Sequence, residues 1–298
     1  FNDISISEVK DIIDNLDVKK GAKNDLNAII IKRIWDYDNN IILSILKYSL
    51  KLGVVPNCLK TSIVTPIPKI KNSNNVEHFR PINTLPILEQ ILEQLVKTQL
   101  EKQIEDNNIL DLGQSGFRKY FSCESALQDS LTKWRKNLDD GFWIGVIFID
   151  FVRAFETIDR NVLIELLQKL GLREIVLDWF ISYLENRKQK VKFGNSLSDE
   201  MNVDTGVPQG SKLGPLLFII YVNEIINMFK NVGIDCKLFA DDMALYFASK
   251  IMNRIVEKLN SGLEILLSWL KDKQLEINLK KNGLYVDTLS AKALCERS

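Results

Sequence analysis

Two adjacent carboxylates interrupt an apolar segment in the last third of the chain. Asp241 and Asp242 lie within LFADDMALYF, and Asp150 closes a second apolar segment, WIGVIFIDF. If the two segments are neighbouring strands, three carboxylates converge at one end of a sheet, where their mutual repulsion favours bound cations. Mg²⁺ favours a few carboxylates together with water and substrate phosphate. Two such ions about 3.5 to 4 Å apart can activate a hydroxyl and stabilise a departing pyrophosphate.

Each carboxylate segment also has an ordinary structural explanation. Aspartate is a favoured turn residue, so Asp150 can be a strand-end cap and the Asp241, Asp242 pair a polar hairpin turn. The apolar flanks of both segments argue against this alternative, because a solvent-facing turn rarely needs such a frame.

A loop rich in glycine and proline, TGVPQGSKLGPLLF (205–218), precedes an apolar helix. Glycine permits close approach of a backbone to a ligand, and a helix N-terminus offers unpaired N–H groups to phosphate. A simple connecting loop is the alternative for any such segment taken alone.

The composition is that of a globular chain with a core large enough for two packed subdomains. Of the 298 residues 46% are hydrophobic and 26% charged, and the 39 basic and 39 acidic residues leave no net charge. A nucleic-acid partner must therefore be held by local basic patches. The scattered cysteines favour a reducing intracellular setting, and the chain has no apolar run long enough to span a membrane.

Hydrophobic periodicity predicts an α+β fold with a small antiparallel core sheet. The most regular helix follows Pro86, WIGVIFIDF is predicted to be a strand buried on both faces, and ADDM to be the turn of a hairpin. Further helices are predicted at four places, namely the N-terminus, 161–170 with 173–185, LLFIIYVNEIINMF and 251–272.

Three strings in this order, FIDFVRAFETID, TGVPQGSKLGPLLF and FADDMALY, resemble the catalytic palm motifs of reverse transcriptases, most closely those of non-LTR (LINE-like) retrotransposons. TPIPKIKNSNNVEHFRPINTLP resembles the finger segment of that family, and GQSGFRKYFSCESAL its QxGFR segment with the helix after it. The likeness covers about residues 1 to 286.

The resemblance implies the fingers and palm of a right-hand polymerase, with a small antiparallel palm sheet packed on helices. Residues 1–140 would be mainly fingers, with a strand and loop at about 61–85, and residues 141–286 mainly palm. Residues 287–298 would be a truncated tail, too short for a thumb.

The resemblance also implies roles for residues around the aspartates. Asp150, Asp241 and Asp242 would be catalytic and would bind two Mg²⁺ ions, with Mn²⁺ as an alternative, and Phe151 is assigned to the same metal site. Phe155 matches the steric-gate position, where an aromatic ring would clash with a ribose 2′-OH and so favour deoxynucleotides.

A second set of residues is implied to bind the nucleotide. Lys69 and Arg80 match finger residues that grip the triphosphate, and Gln209 and Gly210 would line the nucleotide pocket. Lys281 would assist pyrophosphate departure as an acid. The guanidinium of Arg80 and the ammonium of Lys69 suit the binding of a triphosphate, because they neutralise phosphate charge during transfer.

Local charge is compatible with a nucleic-acid channel. Lys60, Lys69, Lys71 and Arg80 against Glu77 give a local charge of +3. A second patch of +3 consists of Arg187, Lys188, Lys190 and Lys192 against Glu185. Such patches contact phosphates without reading sequence, although exposed solubilising lysines explain the second patch equally well.

Several positions depart from the family pattern. Glu156 stands where the family has Asp, Arg153 where Lys is common, Lys212 where a small apolar residue is usual and Asn282 where Thr is expected; the finger segment at 21–27 is degraded. None of these removes a metal ligand, but Lys212 brings a charge close to the nucleotide pocket.

Three hypotheses follow. The first is an RNA-directed DNA polymerase domain of a retrotransposon, which uses an RNA template, a DNA primer and dNTPs. Such a domain is expected in the nucleus and cytoplasm and is not expected to bind a membrane. In the full-length protein it could be fused to an endonuclease domain. The second is a degraded or domesticated copy that binds RNA or protein without catalysis. The third is an intron- or retron-type reverse transcriptase.

Overall fold

The computed structural model describes residues 1–17, 26–72, 75–278 and, by their backbone, 283–287. Its helices are α1 (Ile6–Asp14), α2 (Ala28–Tyr37), α3 (Asn39–Leu52), α4 (Ile87–Asp106), α5 (Cys123–Asp139), α6 (Arg160–Lys169), α7 (Glu174–Leu184), α8 (Gly214–Val222), α9 (Glu224–Asn231) and α10 (Met252–Asp272). Its strands are β1 (Thr61–Pro68), β2 (Phe79–Thr84), β3 (Trp143–Val152), β4 (Lys188–Phe193), β5 (Ser196–Leu197), β6 (Met201–Asn202), β7 (Asp235–Phe239), β8 (Asp242–Ser249), β9 (Glu276–Ile277) and β10 (Gly283–Asp287). The chain divides into two compact units.

The first unit comprises Phe1–Asn107 and Asp159–Leu217. In its sheet, β1 pairs antiparallel with β2 and parallel with β4, while β5 and β6 pair with β4. Helix α1 begins with a capping box formed by Ser5 and Glu8. Helix α4 begins directly after Pro86, where proline already has a helix-compatible φ.

The second unit comprises Asn108–Ile158 and Phe218–Ser298. Its antiparallel sheet has the strand order β10-β3-β8-β7, and the short strand β9 pairs with the end of β3. Ile144, Val146 and Tyr246 form a buried cluster on one face of this sheet, covered by Trp134 and Leu138 of α5. Ile147 is also buried, so β3 is covered on both faces as its near-continuous apolar sequence predicts.

Two features differ from the sequence predictions. The apolar segment LLFIIYVNEIINMF forms α8 and α9 rather than one helix, with the change at Asn223, whose side chain accepts from Asp111 N (2.9 Å) and donates to Ile109 O (3.1 Å). The parallel pairing of β1 with β4 was not predicted, because about 120 residues separate the two strands in sequence. In the described part of the chain, no helix is both long and apolar enough to cross a bilayer.

Candidate active site

The three predicted aspartates lie at one end of the sheet of the second unit. β3 and β8 pair so that Asp150 stands directly opposite Asp242, and Asp241 lies in the turn that joins β7 to β8. Directly opposed residues of an antiparallel pair project to the same face. The pairing therefore brings together carboxylates that are about ninety residues apart in sequence.

The hairpin turn has a constrained backbone. Ala240 has φ +58°, in the left-handed region that non-glycine residues rarely adopt. Ala240 is buried and Asp241 is half-buried, whereas Asp242 is exposed. The apolar flanks of the ADD sequence thus anchor the turn in the core. The positions of the Asp241 and Asp242 carboxylates are set by this anchored turn.

Asn278, which sequence reasoning missed, orients Asp150. It follows β9, and its Nδ2 donates to Asp150 Oδ2 (3.2 Å) while its backbone N donates to Asp150 O (2.8 Å). A lone Asn beyond a two-residue strand has no pattern that predicts this contact. The two contacts hold the Asp150 side chain and its backbone in one orientation.

The aromatic residues after Asp150 belong to the same unit. The Phe151 side chain is buried and its ring lies 6.4 Å from Phe218 and 6.5 Å from Trp269. A phenyl ring has no ligand atom, so the predicted metal role of Phe151 can involve only its backbone carbonyl oxygen. Phe155, the predicted steric gate, packs on Phe117 (6.2 Å) and Phe218 (5.2 Å), and these contacts fix its ring.

Gln209 and Gly210 lie in the first unit and are anchored to β2. Asn83 donates to Gln209 O from its backbone N (2.8 Å) and from Nδ2 (3.2 Å). Gly210 has φ +112°, and a Cβ atom there would lie 2.7 Å from Asn83 O. The contact of this loop with β2 therefore requires glycine at position 210, and this requirement does not depend on any ligand that the loop binds.

Lys69 and Arg80 lie on the β1–β2 hairpin of the same unit. Arg80 stands opposite Ile67, and Lys69 N donates to His78 O (2.7 Å) just beyond the paired residues. Both side chains are exposed, as a role in binding an anionic ligand requires. Lys281 lies outside the described residues, and its predicted role stays a prediction.

Comparison with known proteins identifies the family. The model of "Reverse transcriptase (RNA-dependent DNA polymerase)" matches residues 67–294. The chain belongs to the reverse transcriptase family. The predicted resemblance to reverse transcriptases of non-LTR retrotransposons is thereby confirmed.

The curated relatives of this reverse transcriptase come from mobile elements. It is 28% identical to a probable RNA-directed DNA polymerase from transposon BS of Drosophila melanogaster, and 25% identical to the polymerase from mobile element jockey of Drosophila funebris. Each alignment covers 93% of this chain and 31% of the relative, so the chain spans less than a third of their length. A Pol polyprotein from retrotransposable element R2 of Popillia japonica is 24% identical over 77% of this chain and 32% of its own.

Solved structures support the predicted α+β fold of polymerase fingers and palm. Apo telomerase from Candida tropicalis, truncated from its C-terminal domain, superposes with a TM-score of 0.59 at 16% identity over 96% of this chain and 62% of that chain. Telomerase from the same organism with a fragment of telomeric RNA gives 0.57 at 15% identity, over 87% and 46%. The fold class predicted from the sequence is confirmed.

Reverse transcriptases use divalent metal ions, and the carboxylate end of the second unit suits such ions only in part. Among the residues that the structure describes, no group of three or more His, Cys, Asp or Glu side chains is arranged to hold a metal. Mg²⁺ in polymerases, however, is bound by one or two carboxylates, with substrate phosphates and water completing its shell. The oxygen donors of Asp150, Asp241 and Asp242 fit that mode of binding.

Sequence reasoning also missed a buried polar cluster in the first unit, consisting of Glu89 and Glu93 of α4 with Tyr183 and Arg187. Glu93 Oε1 accepts from Tyr183 OH (2.5 Å), and Arg187 Nη1 donates to Glu89 Oε1 (2.7 Å). Lys212 N donates to Glu93 Oε2 (2.9 Å), so this carboxyl also holds the loop that carries Gln209. The available signal was two glutamates four residues apart among the apolar positions of α4.

The same cluster corrects the predicted basic patches. Arg187 and Lys60 are each only 3% exposed, so neither side chain can contact a nucleic-acid backbone at the surface. Burial lowers the pKa of Lys60, and it also lowers the pKa of Lys212, which is half-buried. The exposed cations that remain are Lys69, Lys71 and Arg80 in one patch and Lys188 in the other.

Glu93 makes the stability of the fold depend on pH. Burial raises its pKa to about 7, and the neighbouring Glu89 carboxylate adds to the rise. Because the folded-state pKa lies above the unfolded value, the stabilising contribution is complete below the unfolded value of 4.5 and is lost as the pH rises through about 7.

We therefore predict that Glu93→Gln, a neutral mimic of the protonated acid, flattens this dependence. Between pH 5 and pH 8 the free energy of unfolding of the wild type should fall relative to the variant by on the order of 2 kcal/mol. Urea unfolding at both pH values measures it, with Glu101→Gln on the outer side of the same helix as the matched control. Parallel pH curves for wild type and Glu93→Gln would show that Glu93 does not titrate in this range.

Proposed function

We propose that this chain is the polymerase domain of a non-LTR retrotransposon protein, which extends a DNA primer on an RNA template with dNTPs. The observation that carries the proposal is the meeting of Asp150, Asp241 and Asp242 at one end of one sheet in a chain of the reverse transcriptase family. In the reaction the primer 3′-hydroxyl gives its proton to water and its oxygen attacks the α-phosphorus of the dNTP. The bond from that phosphorus to the bridging oxygen breaks, and pyrophosphate leaves.

The aspartates are proposed to hold two Mg²⁺ ions, with Mn²⁺ as a substitute. When bound, such ions lower the pKa of the attacking hydroxyl and stabilise charge on the leaving group. The residues supply the geometry: β3 and β8 fix Asp150 opposite Asp242, and Asn278 orients the Asp150 carboxylate. The backbone carbonyl of Phe151 is proposed as an additional oxygen donor.

Residues of the first unit are proposed to bind the nucleotide. Lys69 and Arg80 are both exposed. The Lys69 ammonium supplies a point charge and the Arg80 guanidinium can donate two parallel hydrogen bonds, and both properties suit a triphosphate. Gln209 is held by Asn83 so that its side chain can line a nucleotide pocket, and Gly210 belongs to the same anchored loop. Lys281 is proposed as the acid that assists departure of pyrophosphate.

The names and lengths of the relatives support a proposal for the wider setting. Two of them are named as polymerases from a transposon and a mobile element and are about three times as long as this chain. We propose that the domain works in retrotransposition, in the cytoplasm and nucleus, with an endonuclease elsewhere in the full-length protein.

We predict that Asp241→Asn lowers RNA-templated primer extension by about two orders of magnitude or more, because it removes the negative charge that would hold a metal ion at the reacting phosphate. Incorporation of a single labelled dNTP measures it. Asp235→Asn, an exposed position of the same hairpin, is the matched control and should keep wild-type activity. A wild-type chain that binds RNA but extends no primer would instead support the non-catalytic binding module.

We also predict that Phe155→Val raises the use of ribonucleotides. The Phe155 ring is fixed by Phe117 and Phe218, and removing it opens the space in which a 2′-OH would clash. The ratio of kcat/KM for rNTP to that for dNTP should rise by about tenfold or more. Phe148→Val, an exposed phenylalanine of β3, is the control, and an unchanged ratio in Phe155→Val would remove Phe155 from the sugar-discriminating site.

A further inference from the structure

The segment 113–117, with the sequence GQSGF, lies along the edge of the sheet that carries the aspartates. Leu238 N donates to Gly113 O (2.8 Å) and Ser115 N donates to Leu238 O (2.9 Å), which makes a parallel bridge between Gln114 and Leu238. Leu238 is two residues before Ala240. The segment therefore supplies backbone partners to β7 immediately before the catalytic turn.

Gly116 packs directly against the back of that turn. A Cβ atom at Gly116 would lie 2.0 Å from Ala240 N and 2.7 Å from Ala240 Cα. Such distances are far inside van der Waals contact, and the atoms they would displace are backbone rather than the end of a flexible side chain. Any side chain at position 116 would therefore displace the backbone of the turn, and only glycine, which has a hydrogen atom in place of Cβ, avoids this.

Gln114 fixes the position of Gly116. Its side chain is fully buried, and Oε1 accepts from Gly116 N (2.8 Å). In the part of the chain that the structure describes, Gln114 Nε2 has no hydrogen-bond partner. A buried unpaired donor costs stability, so Gln114 holds Gly116 through Oε1 at a cost to the stability of the fold.

Phe117 extends the contact to the other side of the site. Its backbone has φ +55°, and its ring meets the Phe155 ring edge-on at 6.2 Å with 71° between the planes. One five-residue segment thus contacts both the turn of Asp241 and the proposed steric gate.

We propose that segment 113–117 is a positioning element of the active site, in which Gly116 and Gln114 set the place of the 240–242 turn. The inference rests on the proposed function, because it assigns these residues to the metal-binding end of the sheet. Ala240 has a strained backbone and needs support from its surroundings to stay in that conformation. Gly116 supplies the packing surface and Gln114 holds Gly116.

The test compares Gly116→Ala with Gly141→Ala in the full chain. Gly141 has φ +77° and open space around it, so its substitution strains the backbone without pressing on the catalytic turn. Mn²⁺ affinity is measured by electron paramagnetic resonance of the free ion, and primer extension gives kcat, the dNTP KM and primer–template affinity. Thermal unfolding shows that each variant is folded.

For Gly116→Ala we expect Mn²⁺ affinity and kcat each to fall by about tenfold or more. Primer–template affinity should stay within about twofold of wild type, because phosphate contacts elsewhere supply most of it. Gly141→Ala should match wild type in both Mn²⁺ affinity and kcat. Equal Mn²⁺ affinity and kcat in the two variants would overturn the proposal.

Gln114→Met keeps the test decisive if Gly116→Ala does not fold. It removes the acceptor for Gly116 N and the unpaired Nε2 without adding an atom near the turn. We expect a folded protein with Mn²⁺ affinity and kcat lowered by about threefold to tenfold, and unchanged values would overturn the proposal. If the wild type neither binds Mn²⁺ nor extends a primer, the proposed function itself fails, whereas a normal wild type with unaffected variants removes only the role of segment 113–117.

Discussion

The register of β3 with β8 sets two like charges opposite each other, and much of the second unit serves to hold them there. Directly opposed like charges destabilise an antiparallel pair, so the strands must gain stability elsewhere. Ile144, Val146 and Tyr246 provide it as a buried cluster a few residues from the aspartates. The same repulsion is what a divalent cation relieves, and it therefore links the fold of this sheet to the proposed chemistry.

Sequence reasoning predicted the elements whose pattern is local. The apolar run before Asp150, the ADD turn and the amphipathic helix after Pro86 are all found in the structure as β3, the β7–β8 hairpin and α4. The adjacency of Asp150 with Asp241 and Asp242 was a conditional inference from the residues, which the strand register now supports. The division into fingers and palm near residue 140, and the roles of the individual site residues, stay predictions.

What sequence reasoning missed depends on contacts between distant parts of the chain. Arg187 looks like any member of a basic run, yet Glu89, 98 residues away, forms a buried pair with it. Lys60 is buried where the chain before β1 meets β4, since its backbone O accepts from Lys188 N (3.1 Å), and Asn278 reaches Asp150 only because β9 pairs with β3. Charge counted along a sequence cannot separate a solvated cation from one that is buried and paired, because both have the same residue type.

The central claim is that Asp150, Asp241 and Asp242 form a metal site at one sheet end. The most direct test is anomalous scattering from crystals of the chain grown with Mn²⁺, an RNA–DNA primer–template and a dNTP that cannot react. We predict two Mn²⁺ peaks about 3.5 to 4 Å apart, with oxygens of Asp150 and Asp241 as ligands. Bound nucleotide with no Mn²⁺ at these carboxylates would contradict it.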